Sequence, residues 1–288
     1  MIFITGINSF VGKYLVSELK KRNLKFIGVD INGKENQYFK KIDIRDKKIE
    51  KYITSKTTII HLASLSTDRM CLNNPDLAFD VNVRGTINLI NIANKKKVKR
   101  FIFASTEWVY GNQANKIQSE NDQIKIENLN SFYAITKAIG EKLILNKNNK
   151  FKQIILRFGI IYGERVTGSA VESIFRNCVK NKTVEIGSKY TSRRFIHISD
   201  IVQGIIKVLK FKKNNIFNLT GSVDITLQDV VNISSKVLKK IIKIKEINPK
   251  IVSNRKPTNN KLKKETDWKP RVKLLQGVKS LKKCHNII

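Results

Sequence analysis

The chain has 288 residues and a formal net charge of +33 at pH 7, from 56 Lys and Arg against 23 Asp and Glu. Because 41% of its residues are hydrophobic, it can bury a core, which excludes a disordered chain. No apolar run approaches the ~18 residues of a membrane helix, and no basic leader precedes the apolar run 2–4. We therefore expect no membrane partner and no signal peptide.

The cysteines bear on the location of the protein. Cys71, Cys178 and Cys284 lie far apart, without the spacing of a metal site. We therefore expect neither disulfides nor a bound metal, and this pattern indicates the reducing cytoplasm.

The positive charge is carried by 44 Lys and only 12 Arg, and residues 57–94 contain no Lys. If 226–243 is a helix, four lysines form one stripe on it: Lys236, Lys239, Lys240 and Lys243. A solvated face is the favoured interpretation of this stripe, and a face that binds nucleic acid or another polyanion is the alternative.

The first 160 residues alternate short apolar runs with stretches of helical spacing, such as Val11, Leu15 and Leu19. Runs rich in Ile, Val and Phe are typical of strands buried on both faces of a parallel sheet. The predicted strands are 2–5, 26–31, 57–62, 100–105 and 153–158. Strands that alternate with helices predict a doubly wound α/β sheet of the Rossmann type over residues 1–160.

Beyond residue 160 the alternation loosens. We predict a smaller α+β substrate-binding lobe over residues 161–288, with some exchange of segments between the two domains. The expected elements are a helix near 169–180, strands near 183–187 and 194–198, and a helix near 200–210. The stretch 112–130 shows no period and is predicted to be a loop.

The segment after the first predicted strand has the composition of a dinucleotide site. The turn that opens the first helix contains Gly6, Ser9, Phe10, Val11 and Gly12. Glycine lets the backbone approach a pyrophosphate, and the N–H groups of the helix start point at it. Asp30 ends the second strand, where a carboxylate binds ribose hydroxyls and repels a 2′-phosphate. We therefore predict NAD as the cofactor; the alternative is a glycine turn that only packs helix on strand.

Two further segments carry residues suited to hydride transfer. Thr106 follows the strand 100–105, and Tyr133 and Lys137 share one face of a predicted helix because they are four residues apart. A nearby ammonium lowers the pKa of a phenol, so Tyr133 can take the proton of a substrate hydroxyl while a nicotinamide takes the hydride. Thr106 can hydrogen-bond the same oxygen. The alternative is a partly buried helix face without chemistry.

Together these segments resemble the extended short-chain dehydrogenase/reductases, the nucleotide-sugar epimerase/dehydratase family, over nearly the whole chain. The similar motifs lie at 5–12, 43–44, 61–64, 82–86, 105–111, 133–137, 156–163, 193–197 and 268–270. The resemblance implies that Thr106, Tyr133 and Lys137 are catalytic, the last two also at the cofactor. It further implies adenine contacts from Asp43 and Ile44, pyrophosphate and ribose contacts from Leu62, Ala63 and Ser64, bracing by Asn82, and a nicotinamide contact from Phe158.

For the substrate, the resemblance implies contacts from Ser66, Thr106, Glu107 and Trp108 near the sugar and from Arg193 and Arg255 at the diphosphate. Departures from the family pattern narrow the reaction. Trp108 stands where the dehydratases and decarboxylases of the family keep an acid, so elimination is disfavoured. Ser9 stands at the position of the middle glycine in the family's glycine-rich turn, and Ile160 stands where the family usually has an Asn.

These observations predict an NAD-dependent nucleotide-sugar epimerase-like enzyme that acts by transient oxidation at a sugar C4. An NAD(H)-dependent nucleotide-sugar dehydrogenase, reductase or dehydratase is the enzymatic alternative. The non-enzymatic alternative is an RNA-binding member of the same fold, which the intact Tyr133 and Lys137 disfavour. The Lys-free stretch 76–94 and the Tyr133 helix correspond to the dimer seam of family members, so we expect a homodimer.

Overall fold

The computed structural model describes residues 1–112, 116–166 and 168–285. The chain forms two compact units, each assembled from several parts of the sequence. The first consists of Met1–Gly111, Asn121–Arg157 and Ile205–Phe217, and the second of Asn112–Glu120, Phe158–Gly204 and Asn218–Ile288. The sequence-based division at residue 160 stays a prediction.

Strands, helices and short helical turns make up the regular structure of the described residues. The strands are β1 (Ile2–Thr5), β2 (Phe26–Asp30), β3 (Phe39–Lys41), β4 (Thr58–His61), β5 (Arg100–Thr106), β6 (Ile117–Gln118), β7 (Lys152–Phe158), β8 (Ile161–Tyr162), β9 (Thr183–Ile186), β10 (Ser192–Arg193), β11 (Ile196–His197), β12 (Asn215–Leu219), β13 (Ile225–Thr226), β14 (Lys243–Glu246) and β15 (Asn254–Pro257). The helices are α1 (Phe10–Lys21), α2 (Asp68–Asn73), α3 (Pro75–Phe79), α4 (Gly85–Lys95), α5 (Phe132–Ile144), α6 (Ala170–Lys180), α7 (Ile198–Val208), α8 (Leu227–Leu238), α9 (Asn260–Thr266) and α10 (Leu274–Cys284). Tight 3₁₀ turns cover Lys47–Tyr52, Glu107–Tyr110 and Ile126–Asn128, and a π-helical turn covers Asp80–Arg84.

The central sheet has seven strands in the order β12-β7-β5-β4-β1-β2-β3, and every neighbouring pair from β5 to β3 is parallel. The predicted doubly wound Rossmann-type fold is therefore confirmed. The chain builds outward from β1 to β3 and then crosses to β4 on the other side. Ligands of such sheets bind at the carboxyl ends of the strands where the order reverses. Here that position lies between β1 and β4.

The core of the first unit follows from the apolar runs of the sequence. All four residues of β1 are buried, and Phe3, Phe101 and Phe103 pack in one continuous cluster. On α1, Leu15 and Leu19 are fully buried because they recur at the helical period. The parallel strands are thus covered on both faces, as their unalternated composition predicts.

The second unit is built from short strands and longer helices. Its four-stranded sheet has the order β13-β10-β15-β6, and two smaller pairs join β8 with β11 and β9 with β14. Helices α6, α8 and α10 contribute Phe175, Val230 and Leu281 to a separate core cluster. The carboxylate of Asp200 accepts hydrogen bonds from the backbone N–H groups of Arg271 and Val272, which anchors the carboxyl-terminal segment.

Several predicted elements differ from the structure. The helix expected over 226–243 ends at Leu238, because Lys239 adopts a left-handed conformation with φ of +52° and Lys243 begins β14. The prediction of one lysine stripe is therefore wrong. The strand expected near 194–198 is only the two-residue strand β11, with β10 just before the expected range, and the loop expected over 112–130 contains β6. Residues 113–115 of that loop lie outside the described residues.

Two general features of the described ranges bear on function. No helix there is both long enough and apolar enough to cross a membrane. In the same ranges, no group of three or more His, Cys, Asp and Glu side chains is placed to hold a metal ion.

Candidate active site

The loops after β1 and β4 meet where the strand order reverses. Gly6 has a φ of +70°, and a Cβ added to it would lie 2.7 Å from the backbone nitrogen of Ala63. A Cβ on Gly12 would collide with the carbonyl oxygens of Gly6 and Ile7. Both glycines are thus required by close backbone packing. Ser9, in place of a third glycine, is the N-cap of α1 and accepts a hydrogen bond from Gly12 N at 3.1 Å.

Asp30 is fixed at the carboxyl end of β2. Its Oδ2 accepts a hydrogen bond from Asn8 N at 3.0 Å, and its Oδ1 accepts one from Asn32 N at 3.2 Å. The carboxylate is therefore bonded to the same turn that contains Gly6 and Gly12. The side chain is only partly buried, so it keeps a surface to offer a ribose.

Asp43 and Ile44 follow β3. Asp43 forms a two-pronged ion pair with Arg45, at 3.0 Å from Nε to Oδ1 and 2.7 Å from Nη2 to Oδ2. Hydrogen bonding from Arg45 lowers the pKa of the Asp43 carboxyl. Ile44 is buried in the core beside Gly85, so its side chain is not available to a ligand and any adenine contact must use its backbone.

Asn82 ties the loop after β4 to helix α5. It lies in the π-helical turn between α3 and α4, a form of helix often found at functional sites. Its Oδ1 accepts from Leu65 N at 2.8 Å, and its Nδ2 donates to Leu65 O and to Thr136 Oγ1. The segment that contains Leu62, Ala63 and Ser64 is thus held against the helix that bears Tyr133.

His61 is a structural residue. Thr86 Oγ1 donates to Asn82 O, so it must accept from His61 Nε2, while His61 Nδ1 accepts from Thr5 Oγ1. Both ring nitrogens are therefore bonded in the neutral state. Burial and the charge of Lys137 lower the pKa of His61 to about 3.

Thr106 and Tyr133 are in direct contact. The side chain of Ser131 caps α5 and accepts a hydrogen bond from Ala134 N, so Tyr133 lies in the first turn of the helix. Thr106 ends β5 and is buried, and its hydroxyl hydrogen-bonds the phenol of Tyr133. Burial raises the pKa of Tyr133, and the hydrogen bond from Thr106 opposes this shift.

Lys137 lies on the same face of α5. Its Nζ donates to Ala104 O at 2.9 Å and lies 5.8 Å from the centre of the Tyr133 ring. Burial lowers the pKa of Lys137 to about 8. The expectation that this ammonium gives Tyr133 a lowered pKa is wrong for the free chain, because the ammonium is bonded to the backbone and burial of the phenol dominates.

Cys71 lies closer to this pair than the sequence indicates. It is fully buried in α2, and its Sγ lies 3.6 Å from Leu65 O and 4.0 Å from Asn82 Nδ2. It also interacts electrostatically with Tyr133 and Lys137. Burial raises the pKa of this thiol, so it stays protonated at neutral pH.

A buried ion pair lies one turn along α5 from Lys137, and it was not predicted from the sequence. Arg157 Nη2 and Glu141 Oε2 are 2.8 Å apart, with side chains only 3% and 2% exposed. Glu141 accepts a hydrogen bond from Ser105 Oγ, and Arg157 donates one to the hydroxyl of Tyr110. The spacing Tyr133, Lys137, Glu141 was the available signal, since three residues four apart share one helix face.

The segment after Thr106 carries the other residues predicted for the sugar. Glu107 is buried, and Trp108 is half-buried and packs with Val109 and Ala134 in a small apolar cluster. Ser66 lies on the loop after β4 and is exposed. Their contacts with a substrate stay predictions.

The second unit contains the remaining predicted residues. Arg193 and Arg255 are register partners on the parallel strands β10 and β15, so the structure brings them together. The guanidinium of Arg193 donates to the backbone oxygen and side-chain hydroxyl of Ser253. Phe158 is buried at the end of β7.

The residues of the first unit fit a bound NAD. Two glycines that tolerate no Cβ open the turn, α1 begins at that turn with its N–H groups, and Asp30 is bonded to the same backbone. The predicted cofactor therefore matches the architecture of this turn and of the strand end beside it.

Comparison with known proteins identifies the family. The family model described as the NAD dependent epimerase/dehydratase family matches residues 2–220. A provisionally named UDP-glucose 4-epimerase of Methanocaldococcus jannaschii is 31% identical over 81% of this chain and 81% of its own length. The UDP-glucuronate 4-epimerase of Thermodesulfobacterium geofontis is 28% identical, over 96% of this chain and 93% of its own. The crystal structure of the Thermus thermophilus UDP-glucose 4-epimerase in complex with NAD superposes with a TM-score of 0.85 at 21% identity, over 99% of this chain and 98% of its own. The chain belongs to the NAD dependent epimerase/dehydratase family, and the predicted family and cofactor are confirmed.

Proposed function

We propose that this chain is a nucleotide-sugar 4-epimerase that acts through bound NAD. The observation that carries the proposal is the cluster of Thr106, Tyr133 and Lys137 at the carboxyl end of β5, in which Thr106 and Lys137 are buried and Tyr133 is partly buried. Two of the relatives described above bear the names of UDP-sugar 4-epimerases, which supports the same reaction type.

The cofactor site that we propose combines the turn after β1 with the loops after β2, β3 and β4. The proposed contacts are Gly6, Ser9, Phe10, Val11, Gly12, Asp30, Asp43, Ile44, Leu62, Ala63, Ser64, Asn82, Tyr133, Lys137 and Phe158. When bound, NAD supplies the hydride acceptor, and then the hydride donor, for a sugar carbon. Asp30 would receive the ribose hydroxyls, because a carboxylate accepts hydrogen bonds and repels a 2′-phosphate.

The chain's own residues would handle the proton. Tyr133 would accept the proton of the C4 hydroxyl. It would return the proton after the 4-keto sugar has rotated in the site and presents its other face. In the free chain the phenol is protonated, because burial raises the pKa of Tyr133. A positive charge favours the phenolate, so we propose that Tyr133 becomes a base only when Lys137 and an oxidised nicotinamide both lie beside it. Thr106 would hydrogen-bond the same C4 oxygen.

The substrate contacts remain proposals. Arg193 and Arg255 form a paired basic site on neighbouring strands, and such a pair suits a diphosphate. Ser66, Glu107 and Trp108 would border the sugar. An elimination at C5 needs an acid or base at the position of Trp108, and an indole cannot supply one, which supports epimerisation over dehydration.

The association and location of the protein are also proposals. Large apolar side chains are exposed on α2, α3 and α4. These helices lie in the stretch 57–94, which contains no Lys, except that α4 ends at Lys95. The exposed side chains are Met70, Leu72, Leu77, Phe79 and Ile87. We propose that the stretch 76–94 and the Tyr133 helix α5 form the seam of a homodimer, and that the protein is located in the cytoplasm. A monomer mass by light scattering at micromolar concentration would contradict the dimer.

Incubation of the purified enzyme with a panel of nucleotide sugars tests the function. The expected product is the C4 epimer, formed without net consumption of added NAD(H). Net accumulation of NADH would favour the dehydrogenase alternative. A 4-keto-6-deoxy product would favour the dehydratase. RNA binding without turnover of any sugar would favour the non-enzymatic alternative.

A further inference from the structure

A buried ion pair joins α5 to β7 beneath the proposed catalytic residues. Arg157 Nε lies 3.0 Å from Glu141 Oε1, and Arg157 Nη2 lies 2.8 Å from Glu141 Oε2. Two parallel bonds of this kind fix direction as well as distance. Because neither side chain reaches solvent, the pair cannot rearrange without leaving a buried charge unpaired.

Each partner of the pair also bonds to the segment that carries Thr106. Ser105 precedes Thr106, and its Oγ donates to Glu141 Oε1 at 2.5 Å. Tyr110 ends the 3₁₀ turn that follows Thr106, and its hydroxyl accepts from Arg157 Nη1 at 2.9 Å. The guanidinium also lies 4.9 Å from the centre of the Tyr110 ring. The segment is therefore held on both sides of Thr106.

Glu141 also belongs to α5, the helix that carries Tyr133 and Lys137. Tyr133, Lys137 and Glu141 occupy successive turns of α5 on one face. A helix is rigid over two turns, so fixing Glu141 fixes the position of Tyr133. We infer that the Glu141–Arg157 pair, through Ser105 and Tyr110, positions Thr106 against Tyr133 for proton transfer. The inference rests on the proposed function for its kinetic assay.

The expected effect is catalytic because proton transfer depends on alignment. A displacement of ~1 Å at the reacting groups can lower a rate ~10²-fold. Glu141 also acts directly on the cluster, since its charge raises the pKa of Lys137 against the larger effect of burial. We class four residues as positioning residues, because each acts through Thr106, Tyr133 or Lys137. They are Ser105, Tyr110, Glu141 and Arg157.

Two variants test the inference without breaking the ion pair. Ser105→Ala and Tyr110→Phe each remove one hydroxyl and leave Glu141 bonded to Arg157. We expect each to lower kcat by roughly 10- to 100-fold, with KM for the sugar and the affinity for NAD unchanged. Ser234→Ala is the matched control, because its buried hydroxyl donates to Val230 O within α8, far along the chain from Thr106. It should leave kcat unchanged.

A spectroscopic readout makes the test independent of turnover. In protein labelled with [¹³Cζ]tyrosine, the Tyr133 signal, assigned by its loss in Tyr133→Phe, reports the hydrogen bond from Thr106. The signal should shift in Ser105→Ala and in Tyr110→Phe but not in Ser234→Ala. An unshifted signal together with wild-type kcat in both variants would overturn the inference. If wild type epimerises no sugar, the proposed function fails, and the Tyr133 signal alone then decides whether the positioning holds.

Discussion

In and just after helices α5 and α8, charged residues recur at four-residue spacing. Those of α5 lie on one buried helix face, whereas those near α8 do not share a helix face. In α5, Lys137 and Glu141 point into the protein, and each is bonded to a buried partner. In α8, Lys236 is not fully buried, and the helix ends before Lys240 can extend the row. Lys240 instead donates to the last carbonyl groups of α6. Spacing alone therefore shows which residues share a face, and burial decides whether that face carries chemistry.

The largest expected difference between the two helices is catalytic. Tyr133→Phe removes only the phenolic oxygen from α5, and loss of a general base lowers turnover ~10²–10⁴-fold. Lys236→Ala in α8 should leave turnover unchanged, because Lys236 lies outside the proposed site. Steady-state epimerisation assays of both variants check this. Wild-type turnover in Tyr133→Phe would remove Tyr133 from the mechanism.

The next difference is in stability. Glu141→Gln leaves the buried guanidinium of Arg157 without its counter-charge, and breaking a buried ion pair this way costs about 3–5 kcal/mol of unfolding free energy. Lys236→Gln changes a charge that reaches solvent and should stay within about 0.5 kcal/mol. Urea unfolding measures both. Equal stabilities for the two variants would show that the pair is not buried in solution.

The pH dependence of stability separates Lys137 from the lysines that reach solvent. Its pKa in the folded chain is about 8, below the usual value of 10.5, so between these pH values the unfolded chain binds more protons. Stability should therefore rise with pH from about 8 toward 10, by up to the order of 3 kcal/mol. Lys137→Met should abolish this rise, whereas Lys236→Met should retain it. Thermal unfolding across this range gives the comparison, and the same rise in Lys137→Met would contradict it.

Asp30 is an intermediate case, a partly exposed charge held by backbone N–H groups. Replacing Asp30 should have a smaller effect than the substitutions above, and the effect should be confined to the preference for NAD over NADP. We expect NAD to bind more tightly than NADP, and Asp30→Ala to narrow the difference by roughly tenfold, which corresponds to one charge-assisted hydrogen bond. Calorimetry with both cofactors measures this. Tighter binding of NADP to wild type would overturn the role of Asp30.

The sequence predicts most of the first unit, because long apolar runs and glycine turns are local signals. Phe3, Leu15 and the turn around Gly6 act where the pattern places them. The edge strands β3 and β12 escaped prediction, since they are short or lack a distinct apolar run. In the second unit, β10 and β11 have two residues each, too few to show a period.

The sequence predicts which residues form the proposed site, but it does not predict their electrostatics. Tyr133 and Lys137 follow from spacing, whereas the direction of the Tyr133 pKa depends on burial, which only the folded chain shows. The bond between Ser105 and Glu141 joins residues 36 positions apart in sequence, and Cys71 reaches Asn82 only through the packing of α2. Such contacts are tertiary and leave no local pattern.

The central claim is that hydride leaves C4 of a nucleotide sugar and returns to the same carbon on its other face. The most direct measurement uses a nucleotide sugar deuterated at C4, incubated with the enzyme and excess unlabelled NAD. We expect a C4 epimer that keeps its deuterium at C4, as followed by NMR and mass spectrometry. Deuterium released into free NADH, or found away from C4 in a product that has eliminated water, would contradict the account.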